Sequence, residues 1–157
     1  MSLLNDPRSS AARSSTHEQA VLDVIEREEL ADNASRVGSH LLAGLRKLQE
    51  QCDVIGDVRG VGLFLGIEFV WPPDDGEKRP ATAHAKFVKD RCKEKGFLLS
   101  TDGPFDNVIK IKPPMCFSID DADGLVAALT AVLVTEITND AKARIVTEEE
   151  RRRVLLS

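Results

Sequence analysis

The chain has 157 residues, 42% of them apolar, 30% charged and 4% aromatic, the make-up of a globular domain with room for a single core. A formal net charge of −5 argues against a nucleic-acid binder, which carries a basic patch, and no apolar run reaches the roughly 18 residues of a membrane span. Cys52, Cys92 and Cys116 are odd in number and lack a CxxC spacing, which points to a reducing compartment, the cytoplasm or, in a eukaryote, the mitochondrial matrix.

Residues 1–16, "MSLLNDPRSSAARSST", show no period and no signal-peptide core, and read as a disordered or vector-derived lead-in. Thr16, with Gln19 three residues on, is a candidate capping box for a first helix that puts Val21, Val24 and Ile25 on one stripe. A second helix is expected from Leu30 to Gln51, with Val37, Leu41, Leu45 and Leu48 buried. Gly38 and Gly44 inside it imply close packing against another element. "DVIGDVRGVGLFLGIEFV" reads as two strands, its glycines marking a bend, a bulge or close backbone contact. "WPPDDGEKRP" is a loop. A third helix, Ala81 to Lys95, has Ala85, Val88 and Cys92 inward and is closed by Gly96. "FLLS" is then a short strand, "TDGPFD" a turn and "NVIKIKPP" a further strand. Ser118 caps a last helix, with Asp121 in its first turn and Leu125, Val126, Leu129, Val132 and Leu133 inward. From residue 139 the chain is a charged tail. The order lacks a regular βαβ repeat, so the expected fold is α+β: a small, mostly antiparallel sheet with helices on one face.

The motifs that suggest chemistry mostly fail on spacing. "RGVGLFLG" has its third glycine one residue late for a dinucleotide loop and is followed by more strand. "DDADG" lacks the acids a calcium loop needs at its first and twelfth positions. His17, His40 and His84 have no ligand spacing, so no metal site is expected, and Cys116 reads as a small buried apolar residue. Strand alternation puts Val108, Lys110 and Lys112 on one face and Ile109 and Ile111 on the other, toward a core. Either the lysines coat a solvated face, or one of them receives an anion. An independent α+β interaction or ligand-binding module remains an alternative at this point.

Three segments carry a resemblance: "AVLDVIEREELADNASRVGSHLLAGL", "IGDVRGVGLFLGIEFV", and the run from "RPATAHAKF" through "LLSTDGP" and "NVIKIKPPMCF" to "VAAL". They resemble the C-terminal domain of class III aminotransferases, pyridoxal-phosphate enzymes of fold type I. The most specific part is similar to the phospho-lyase branch, the alanine–glyoxylate aminotransferase 2-like proteins acting on ethanolamine phosphate and phosphohydroxylysine. The resemblance implies a C-terminal domain over residues 17–138, inactive alone, with no catalytic and no cofactor-binding residues of its own. Pyridoxal phosphate belongs, on this implication, to a large domain of a longer parent chain, which forms a homodimer. In many class III aminotransferases an arginine in the strand before a double proline grips the substrate carboxylate. Lys110 stands at that position, which makes it the candidate substrate-binding residue, a point charge in place of a bidentate fork.

Overall fold

The computed structural model describes residues 18–71 and 79–137. The lead-in at 1–16, the Thr16 cap, most of the "WPPDDGEKRP" loop and the tail from 139 lie outside the described residues.

Residues 18–27 form helix α1, and Leu30–Gln49 form α2. Between them Glu29 takes a left-handed φ of 49°, which breaks the run into two helices. On α2 the expected stripe of Val37, Leu41, Leu45 and Leu48 is buried. On α1 Val24 and Ile25 are half-buried, whereas Val21 stands open.

The sheet contains β1 (Ile55–Val61), β2 (Phe64–Trp71), β3 (Arg79–Pro80), β4 (Ser100–Asp102) and β5 (Val108–Ile111). Its order is β1-β2-β5-β4, every pairing antiparallel, with β3 against the end of β2. Val58, Leu65, Ile67, Ile109 and Ile111 alternate onto one face and are buried. They form one core with α2, with α3 (Thr82–Glu94) and with α4 (Ile119–Thr130). The fold is therefore the expected α+β layer pair, with helices on one face of a small antiparallel sheet.

Local chemistry explains the boundaries. The α3 stripe of Ala85, Val88 and Cys92 is buried. The Phe97 N–H donates to the Cys92 carbonyl and the Gly96 N–H to that of Lys93, with Gly96 at φ 90°, a Schellman ending. Ser118 caps α4 in a reciprocal box: its hydroxyl accepts from the Asp121 N–H while the Asp121 carboxylate accepts from the Ser118 N–H.

Four expectations are corrected. "FLLS" is not a strand: Phe97 is bound into the α3 ending, Leu98 is exposed, and pairing begins only at Ser100, opposite Lys110. Thr101 and Asp102, read as turn, belong to β4 because they pair with Ile109 and Val108. Cys116 is exposed, since the double proline carries the chain off the sheet before it reaches the Ser118 cap. The last helix keeps Val132 and Leu133 inward but passes into a π-helical run, Ala131–Ile137. That run is tied to α3 by ion pairs from Arg91 and Lys95 to Glu136.

Candidate functional site

The helices leave the second face of the sheet uncovered among the described residues, and its charged groups are set by strand register. Arg59 on β1 pairs with Gly66 on β2, and Gly66 pairs with Lys110 on β5. Asp57 and Val108 stand likewise on either side of Glu68. Directly opposed residues point to the same side of a sheet, so these side chains share one surface. Ile109 and Ile111 point into the core and Lys110 to this open face, as strand alternation requires.

Lys110 lines a cleft of about 440 Å³, with Arg59, Asp102, Phe64, Leu65, Val108 and the backbone of Gly60, Gly66 and Gly103. Lys110 Nζ donates to Asp102 Oδ2 at 2.5 Å, and its side chain remains 34% exposed. The bond from Lys110, followed by one from the Gly103 N–H, holds the Asp102 carboxyl below the usual carboxylate range. Across Gly66, Arg59 Nη1 donates to Asp57 Oδ2 and Glu68 Oε2, each at 2.7 Å. Bonds to Asp57 and then Glu68 raise the guanidinium pKa further. The cleft thus carries two fixed cations, each with resident carboxylates, above an apolar floor. An anionic group that can displace a carboxylate is the ligand chemistry this arrangement receives best.

Lys112 lies beyond the end of β5, exposed and outside the cleft lining. His40 on α2 meets Asp123 on α4 at 2.6 Å, and His84 is buried against Trp71. Among the described residues no three His, Cys, Asp or Glu side chains cluster as a metal site. Arg59, Gly66 and Asp102 were not singled out from the sequence as site residues. The alternation of Asp57 and Arg59 along β1 is the one local signal that marks Arg59 as facing Lys110's side.

Residues 14–133 match the family model of the class-III aminotransferases. The chain belongs to this family. Over 116 residues it is 50% identical to an Arabidopsis thaliana protein named alanine–glyoxylate aminotransferase 2 homolog 2, mitochondrial, covering 74% of this chain and 24% of that protein. It is 40% identical over 114 residues to the Caenorhabditis elegans ethanolamine-phosphate phospho-lyase homolog 1, covering 73% of this chain and 24% of that one. Among solved structures it resembles an Arthrobacter phospholyase in complex with phosphoethanolamine, with a TM-score of 0.70 and 35% identity over 74% of this chain and 27% of that one. It also resembles a pyridoxal-phosphate-bound amine transaminase from an uncultivated Pseudomonas species, with a TM-score of 0.63 and 34% identity over 74% of this chain and 26% of that one. The chain spans about a quarter of the length of each of these relatives. No helix of the described residues is long and apolar enough to cross a membrane.

Proposed function

We propose that residues 17–138 are the C-terminal, substrate-gripping domain of a pyridoxal-phosphate-dependent class-III enzyme, a phospho-lyase or a transaminase acting on a small amine or amino acid. The observation that carries this reading is Lys110. It stands in the cleft on the uncovered sheet face, in the strand that leads to Pro113 and Pro114, where many family members carry a substrate-gripping arginine.

The cofactor itself does not fit these residues. A lysine that forms an imine is a desolvated amine, whereas Lys110 is partly exposed and its Nζ is engaged by the Asp102 carboxylate. Among the described residues the cleft is lined by one carboxylate, Asp102, which is already engaged by that lysine and by the Gly103 N–H rather than free to pair with a pyridinium nitrogen. In this reading pyridoxal phosphate is held by a large domain outside residues 17–138, where it supplies an electron sink. This domain closes against that one in a homodimer, in the cytoplasm or the mitochondrial matrix, and is inactive alone. A phosphate on the carbon next to the amine makes elimination the outcome, and without it amino-group transfer results.

The role left to this chain is binding and orientation. Lys110 presents a compact cation to the anionic end of the substrate, and Phe64 and Val108 line the cleft beside it. In a full-length protein, Lys110→Met keeps the aliphatic stem and removes the charge. The contact is worth roughly 1.5–3 kcal/mol, so kcat/KM falls about ten- to a hundredfold. Lys112→Met has the smaller effect. Unaltered kinetics of the Lys110→Met enzyme on its best phosphorylated amine would overturn the reading and leave Lys110 a solvated surface lysine.

A further inference from the structure

The glycines of the two long strands differ in why they are glycine. Gly60 has φ 144°, and a Cβ there would lie 2.2 Å from the Phe64 carbonyl oxygen. A Cβ on Gly56 would lie 2.7 Å from Val70 methyl carbons. Gly66 has neither constraint. Its φ is not positive, and a Cβ would meet Val108 Cγ1 at 3.4 Å and two carbonyl oxygens at 4.0 Å, ordinary contacts. It also sits inside regular ladders on both sides. Glycine weakens such a position, because it packs nothing and loses the most freedom on folding. The backbone does not ask for glycine at 66, but the surface above it does. Gly66 is the register partner of both Arg59 and Lys110, and its missing side chain leaves a notch between them.

The dimensions and donors of the notch select a ligand. Neighbouring strands lie about 4.8 Å apart, so the Arg59 and Lys110 backbones stand roughly 10 Å apart across Gly66, within reach of both side chains to a common centre. Among the described residues Arg59 uses only Nη1, which leaves N–H donors on Nε and Nη2, and Lys110 spends one contact, on Asp102. Three carboxylates, Asp57, Glu68 and Asp102, surround these two cations, so an anion enters by exchange. A carboxylate ligand offers Lys110 only what Asp102 already gives. A phosphomonoester brings close to two charges and three acceptor oxygens, enough to accept from both cations at once.

We infer that the notch over Gly66 is the seat of a phosphomonoester dianion bridged between Arg59 and Lys110, with Asp102 as the resident counter-ion that the ligand displaces. This deepens the phospho-lyase side of the proposed function and takes from it that the phosphate belongs to the substrate. The seat itself stands on the register and on Gly66.

The test needs no catalysis. Methyl phosphate and, separately, acetate are titrated into the 157-residue chain while backbone amide and arginine Nε–H resonances are followed by NMR. Methyl phosphate shifts the Gly66 and Lys110 amides and Arg59 Nε–H, binds more tightly as the pH rises through about 6, where the dianion forms, and binds at least about tenfold more tightly than acetate. Gly66→Ala keeps or raises the thermal midpoint and weakens binding, and Gly66→Val weakens it further. Asp102→Asn tightens binding severalfold, and Arg59→Met and Lys110→Met each lose it. A folded Gly66→Ala or Gly66→Val chain that binds methyl phosphate as the wild type does would overturn the inference, as would acetate binding as tightly as methyl phosphate. Failure of methyl phosphate to bind, with Lys110→Met still damaging the full-length enzyme, would overturn this seat and spare the proposed function. Binding as described, with unaltered Lys110→Met kinetics, would support the seat and overturn the function.

Discussion

His84 shows how much one buried side chain can tie stability to pH. It is 3% exposed and meets Trp71 edge-on, the ring centroids 4.7 Å apart at 80°. Its Nδ1 and the Trp71 Nε1 have no hydrogen-bond partner among the described residues. Burial lowers its pKa from 6.5 to about 4. The unfolded chain takes up the proton below 6.5 and the folded chain only below about 4. His84's share of stability is therefore complete above pH 6.5, is lost as pH falls toward 4, and changes no further below that. The two values differ by an amount worth roughly 3 kcal/mol. Urea unfolding followed by Trp71, the sole tryptophan, should show this slope, and His84→Leu should remove most of it. An unchanged slope would mean that other groups govern acid unfolding. At this scale the sequence was a fair guide where period alone decides. Lys110 faces out and Ile109 and Ile111 in, because adjacent strand residues alternate. It was a poor guide to Cys116 and to Asp102's partnership with Lys110, both of which depend on where the chain goes next.

Helices were legible as elements because each carries a stripe with its own stop signals. Sheet pairing was not, because Arg59, Gly66 and Lys110 come into line only through a register joining β1 to β2 and β2 to β5. No local pattern reports that register, so the sequence showed the lysine and hid the cleft. Glycine within α2 was read as a mark of close packing, and Gly38 bears this out. A Cβ there would lie 2.0 Å from the Gly62 carbonyl oxygen, at the hairpin turn joining β1 to β2. Gly62, at φ 54°, fills the first turn position, where a type II′ hairpin takes glycine. Helix and hairpin are thus in backbone contact, and neither can yield by rotating a side chain. Gly38→Ala should cost about 3 kcal/mol. Gly44→Ala should cost much less, since its new methyl would meet the Val126 side chain at 3.0 Å, which can shift. Thermal midpoints of the two variants, measured side by side, check the ordering.

For the molecule as a whole, the α+β class and a sheet with helices on one face were legible from element order, while which apolar side chains stand open was not. Val61, Phe64 and Phe105 are 87%, 58% and 59% exposed, and Val21 and Leu22 on α1 are 59% and 52% exposed. Apolar surface left open in this way drives association. The chain should show a concentration-dependent sedimentation coefficient, and Val21→Glu with Leu22→Glu should move it toward a monomer. A clean monomer at high concentration in the unmodified chain would count against this. The three thiols divide by burial, and Cys116, read from the sequence as buried, is the exposed one. Cys52 and Cys92 are buried, and burial raises the pKa of both, that of Cys92 to about 11. Cys116 alone is exposed, a few residues past Lys110 on the segment between β5 and α4. A maleimide dye should therefore attach at one place without any cysteine being removed first. The native chain then carries its own fluorescent probe on the segment that joins β5 to α4, read out independently of its single indole.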